Sequence, residues 1–204
     1  MTAEHAALAP ANLRLVLRER QGSNKAGESL AIVEPFEVEG EAGIKVSMAP
    51  AWYDLVGDLQ LRLAYDTGEY VLTLHASQLD ELRLTADEAI AIALANLRRE
   101  HGEPQVAAWH NLRRVSGRDD EVSSTYFMDR AFWRTQLAGH PQGLVVAVPR
   151  TDALLFAPLA DAAAVASLRQ GVAGLHQGGG VDYRLSSALY LFEGDRWTVF
   201  QAPT

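Results

Sequence analysis

The sequence contains no cysteine, which excludes disulfides, thiolate metal sites and a cysteine nucleophile. Clustered cations are missing too. Eighteen Lys and Arg stand against 26 Asp and Glu, a formal net charge of −8 over 204 residues. Nucleic-acid affinity comes largely from counterion release by grouped cations, so DNA, RNA and anionic membrane surfaces are poor partners, whereas a basic partner is allowed. No apolar run reaches the roughly 20 residues that a bilayer span requires. The richest stretch, 144–166, is broken by Arg150, Asp152 and Asp161. Residues 1–10 include Glu4 and no cationic segment ahead of an apolar one. They do not read as a secretory signal, and a cytoplasmic protein is expected.

Catalytic signatures are equally scarce. There is no Gly-x-Ser-x-Gly elbow, no Ser-x-x-Lys pair and no His-Glu-x-x-His helix, the spacings by which a hydroxyl is activated or two imidazoles are aligned on zinc. His101 and His110 with Glu100 and Glu103 form the densest group of possible ligands, but they are not spaced to share one helical face. Gly178-Gly-Gly180 follows a helical pattern, not a strand, so it reads as a helix stop and not as a phosphate loop. No cofactor and no metal are expected.

What is present is a run of short elements. Residues 13–18 alternate as a half-buried strand, and 21–28 concentrate Gly, Ser and Asn as a loop. Residues 29–36 and 43–48 read as strands separated by the acidic connection Glu37-Val-Glu-Gly-Glu41. Leu59, Leu61, Leu63 and Tyr65, then Tyr70, Leu72 and Leu74, flank Asp66-Thr-Gly-Glu69 as a hairpin. Thr85-Ala-Asp-Glu88 is a capping box that opens a helix ending at Gly102. Residues 105–115 suggest one strand and 116–121 a polar connection; 129–137 and 161–176 carry helical spacing. Hairpins are expected around Pro149–Asp152 and Glu193–Asp195. This order is not the strict strand–helix alternation of a parallel sheet. It predicts a single α+β domain with a mainly antiparallel sheet and about three helices.

Several blocks, taken in order, resemble a known family: Leu59–Thr67 (LQLRLAYDT), Ile92–Arg98 (IALANLR), Phe127–Trp133 (FMDRAFW), Ala147–Phe156 (AVPRTDALLF) and Tyr190–Phe200 (YLFEGDRWTVF). They resemble segments of the YtpQ-like uncharacterised bacterial proteins from about Asp58 to the C-terminus. The resemblance implies a fold and supplies no reaction. Residues 1–57 then form a β-rich N-terminal extension and 58–204 the family-like core. Asn96 and Arg98 at the helix end, with Arg150 and Asp152 in the Val-Pro-Arg-Thr-Asp turn, are the polar features of the match that could form a ligand site.

A second group of candidates points to a protein interface. Trp52 and Tyr53 follow Ala49-Pro50 and read as a turn beside Glu37, Glu39 and Glu41, while Asp119, Asp120 and Glu121 form a solvated acidic cluster. Rigid aromatic anchors inside a charged rim are the composition of a binding surface. The expected function is a non-catalytic protein-binding module, an inhibitor or immunity-type protein for a basic partner. The rivals are a small hydrolase or ligand-binding enzyme around Arg150 and Asp152, and a structural subunit of an assembly. The sequence leaves the oligomeric state open.

Overall fold

The structure, a computed structural model, describes residues 7–39, 43, 45–178 and 180–204. The first six residues with Glu4, Glu41 of the acidic stretch and Gly179 of the glycine run lie outside the described residues. Among the described residues, thirteen strands and four α-helices follow in the order β1 (Leu13–Glu19), β2 (Ala31–Ile32), β3 (Phe36–Glu39), β4 (Lys45–Met48), β5 (Trp52–Val56), β6 (Leu59–Asp66), β7 (Val71–Thr73), α1 (Ala76–Leu82), α2 (Ala86–His101), β8 (Gln105–Trp109), β9 (Leu112–Ser116), α3 (Arg130–Ala138), β10 (Leu144–Arg150), β11 (Ala153–Pro158), α4 (Ala162–Gln177), β12 (Leu189–Glu193) and β13 (Arg196–Gln201). Every strand pair is antiparallel. The chain is an α+β domain. Among the described residues no helix is long and apolar enough to cross a membrane.

The strands form two sheets and a free hairpin where one sheet was expected. One sheet runs β1-β6-β5-β2, with β7 also on β6; the other runs β13-β12-β10-β11-β9-β8; among the described residues β3 and β4 pair only with each other. The larger sheet is covered on both faces, which is why β10 is apolar at nearly every position. Leu144, Val146 and Val148 join the main core with Phe156, Phe192 and Trp197. Their neighbours Val145 and Ala147 point the other way, into a second core with Leu168 and Val172 of α4.

Helix ends are set by the residues that suit them. Thr85 Oγ1 accepts from the Glu88 amide at 3.3 Å and Glu88 Oε2 from the Thr85 amide at 2.8 Å, the reciprocal pair the capping box predicts. Asp129 and Asp161 cap α3 and α4 through the amides of Phe132 and Ala164. Helix α1 is the element the pattern did not predict: seven residues are too short for a 3.6-residue period to stand out. It starts where the Gln78 side chain accepts from the His75 amide and ends at Arg83, in the left-handed region at φ 56°.

Other expectations are corrected. The acidic stretch is not wholly a connection, since Glu37 and Glu39 belong to β3, alternating with Phe36 and Val38. Trp52 and Tyr53 are not in a turn; they open β5. Residues 105–115 make two strands, because His110 and Asn111 form a two-residue turn between the paired Trp109 and Leu112.

The position between residues 57 and 58 falls in the turn joining β5 to β6, and β1 pairs with β6 from Leu13↔Tyr65 to Glu19↔Leu59. Residues on both sides of it therefore build the same sheet. At this turn the two sheets meet. Asp58, 2% exposed, accepts through Oδ1 from the Ser186 hydroxyl at 2.6 Å and the Tyr190 hydroxyl at 2.5 Å. Gly57 has φ +60°, and a Cβ there would lie 2.8 Å from the Tyr190 ring. Both the backbone angle and the contact require glycine. Gly57→Ala is expected to destabilise the fold by about 2 kcal/mol or more, seen as a lower urea midpoint with an unchanged slope.

Candidate functional site

The β3–β4 hairpin separates its side chains by face. Register pairs Phe36 with Met48 and Val38 with Val46, all apolar, whereas Glu37, Glu39, Lys45 and Ser47 occupy the alternate positions. At its root Phe36 lies 5.8 Å from the Trp52 ring, and the Arg62 guanidinium sits 3.9 Å from that ring's centre. At the next pair along, the apolar face is open: Val38 is 38% and Val46 44% exposed. A hairpin without a third strand is only marginally stable by itself. Trp52 is thus the anchor that holds the hairpin to the body, and it is half-buried.

The stretch of chain on either side of it is rich in exposed apolar side chains. Ten large hydrophobic side chains are exposed among the described residues, and seven of them (Leu30, Ile32, Val38, Val46, Tyr70, Val71 and Leu72) fall between residues 30 and 72. They belong to the hairpin and to the neighbourhoods of β2 and β7. Glu37 pairs with Lys45 at 3.1 Å, both largely exposed, and Glu39 is exposed beside them. Tyr53 does not join this surface. It is 5% exposed in the main core, where burial, reinforced by Asp87, pushes its phenol pKa up.

The second acidic cluster is dispersed by pairing. Asp119 bonds His101 at 2.9 Å and Asp120 bonds Arg114 at 2.8 Å. Glu121 lines a cleft of about 530 Å³ with Asp152, Asp182, Arg18 and Tyr183, and with the apolar Leu15, Leu17 and Val122. Burial lowers the Arg18 guanidinium pKa and Asp182 opposes that shift. Beside this cleft Arg150 spends its donors on the fold: it forks onto Asp152 at 2.9 and 3.1 Å and makes a close bond to the Gly178 carbonyl.

Asn96 and Arg98 lie in a different network. Asn96, 2% exposed, donates to the carbonyls of Pro10 and Leu13 at 2.9 and 3.0 Å. Arg98 grips the buried Asp129 carboxylate at 2.9 and 2.7 Å, tying the end of α2 to the cap of α3. Among the described residues no hydrogen bond or ion pair joins this network to Arg150 and Asp152, and no group of three His, Asp or Glu is placed to hold a metal. One feature went unread in the sequence: an apolar cleft of about 430 Å³ between the β8–β9 turn and α4. Its signal was two glycines, Gly171 and Gly174, inside a helical run.

No protein-family model, no curated protein and no solved structure matches the chain.

The Tyr126 phenol is buried near Asp119, Asp129 and Glu103, and donates to the Gly102 carbonyl at 2.6 Å. Burial first, then these carboxylates, push its pKa up to about 12. Tyr190 is raised well above the ordinary phenol value, by burial and then by Asp58. An unfolded phenol ionises near its ordinary value of about 10 while the folded one keeps its proton, so the unfolded state binds fewer protons and stability falls as pH rises. Urea unfolding is expected to show full stability from these groups below pH of about 10 and a progressive loss towards 12, with a shallower loss in Tyr126→Phe.

Proposed function

We propose that the chain is a cytoplasmic protein-binding module that acts without catalysis, covering the basic face of a partner protein in the manner of an inhibitor or immunity protein. The observation that carries this reading is the β3–β4 hairpin, which presents Val38 and Val46 to solvent while Glu37 and Glu39 stand on its other face. Exposed apolar side chains with charged ones close by are what an interface needs. The overall charge of −8 favours a basic partner, because opposite charge speeds encounter.

The rival hydrolase reading needs a concave site in which Arg150, Asp152 and a histidine are free to act. Arg150 is held by Asp152 and a backbone carbonyl, and no histidine lines the cleft beside Asp152. The geometry therefore favours the binding reading over it. The resemblance to the YtpQ-like proteins adds no reaction to either.

Val38→Arg combined with Val46→Arg tests the surface directly. Both side chains are exposed, so stability is expected to change by no more than about 1 kcal/mol. Affinity capture from host extract should recover a near-stoichiometric partner with the unsubstituted protein and lose it with the double variant. Glu37→Lys with Glu39→Lys should slow association at low salt and have little effect at high salt. Full capture by the Val38/Val46 variant would remove the hairpin from the interface; no enriched protein at all would remove the reading.

A further inference from the structure

Helix α4 buries Ala164, Val165, Leu168 and Val172 against the larger sheet, but its second half does not close the space beside them. A Cβ added at Gly171 or Gly174 would meet no atom within 4 Å. The cleft left there, about 430 Å³, has Trp109 and Leu112 of the β8–β9 hairpin, Leu168, Val172 and Leu175 of α4, and Ala147 of β10 in its walls. Asn111 Nδ2 donates to Ser167 Oγ at 2.8 Å, joining the hairpin turn to the helix. His110 lies edge-on to the Trp109 ring at 5.0 Å.

Three residues at this cleft depart from what local stability favours. Glycine is, after proline, the least favourable residue inside a helix, and α4 has two of them with room for larger side chains. His110, at the first position of a two-residue turn, has φ 53°, where glycine would be relaxed. Departures from local preference tend to collect where a sequence serves a function instead of the fold.

The lining fixes the ligand class. It contains no Asp, Glu, Lys or Arg, so a charged ligand would lose its hydration without a counter-charge. An apolar cavity of roughly 150 Å³ accepts benzene, and this one has space for two or three rings. Its polar groups, His110, Asn111 and Ser167, provide partners for one hydrogen-bonding substituent. We propose that the cleft between α4 and the β8–β9 turn binds a small, uncharged molecule of two or three rings. The ring body packs on Trp109, Leu168 and Val172, and a single polar group meets His110, Asn111 or Ser167. The site is separate from the β3–β4 hairpin and does not depend on it.

N-Phenyl-1-naphthylamine, neutral, two-ringed in its fused part and carrying one N–H, is a suitable probe. The unsubstituted protein is expected to bind it saturably, with a rise in dye emission and a shift of the His110 ring-proton resonances. Gly171→Leu fills the cleft with a better helix former, so it should fold at least as well and bind the dye at least about tenfold more weakly. Val181→Ser, on an exposed residue outside the cleft, should bind as the unsubstituted protein does. The anionic analogue 1-anilinonaphthalene-8-sulfonate should bind at least about tenfold more weakly than the neutral probe. Undiminished binding by folded Gly171→Leu overturns the proposal, as does absence of saturable binding by the unsubstituted protein up to the solubility of the dye.

Discussion

A buried carboxylate links the two sheets at the turn between β5 and β6, beside the backbone bonds that tie residues 26–28 to β13. Asp58 sits in the turn of the smaller sheet and accepts from Ser186 and Tyr190, residues in and just before β12 of the larger one. A carboxylate taken out of water is costly unless its partners replace the lost hydration. Two short hydroxyl bonds do so on Oδ1, while Oδ2 has no hydrogen-bond partner among the described residues. The approach that permits this depends on Gly57, which lets the Tyr190 ring lie against the backbone. On the far side the Gly57 amide donates to the Lys25 carbonyl and the Lys25 amide to the Gly57 carbonyl, so the loop after β1 is fixed by the same turn. The stacked rings of Phe127 and Trp197, 4.0 Å apart, fill the core beside Tyr190.

From that junction the molecule divides its arginines and its open surfaces. Arg98, Arg130, Arg134 and Arg150 all connect elements through carboxylates or carbonyls: α2 to the cap of α3, α3 to Glu28 and to the β12–β13 turn, β10 to the end of α4. Exposed pairs such as Arg134–Asp195 contribute little energy, whereas the fork on Asp129, whose side chain is 4% exposed, would leave a buried charge if broken. These guanidiniums are spent on architecture. Val38 and Val46 of the β3–β4 hairpin, by contrast, turn apolar side chains to solvent.

Much of the fold was legible because its signals are local. The Thr85–Glu88 box, the alternation in 59–65 and 70–74, and the glycine-bearing turns at 66–69 and 193–195 each act within a few residues. The misreadings arise where distant packing decides. Trp52 and Tyr53 follow a proline and look like a turn, yet pairing with β6 makes them strand, and the period of two then sends Tyr53 inward and leaves Trp52 under Arg62. Asn96 and Arg98 belong to one helix end and Arg150 and Asp152 to one hairpin, and nothing in the spacing shows that each pair finds its own partners. Asp58 was invisible as a structural centre, because an Asp after a Gly reads as an ordinary turn and its partners lie more than a hundred residues away.

Helix α4 shows how one element serves two ends. Its first half carries Ala164, Val165 and Leu168, which cover Val145 and Ala147 and complete the second core. Burial of these side chains stabilises the helix irrespective of its later composition, since tertiary packing outweighs intrinsic propensity. The glycines at 171 and 174 can therefore be tolerated only in a helix already fixed at its start by the Asp161 cap and this packing. A cleft built from the weakly packed end of an otherwise anchored helix keeps its walls in place while leaving room inside. The same logic applies to the β3–β4 hairpin, which is held at its root by Phe36 on Trp52 and left uncovered at Val38 and Val46. In both places the fold secures one end of an element and leaves the other free for contact.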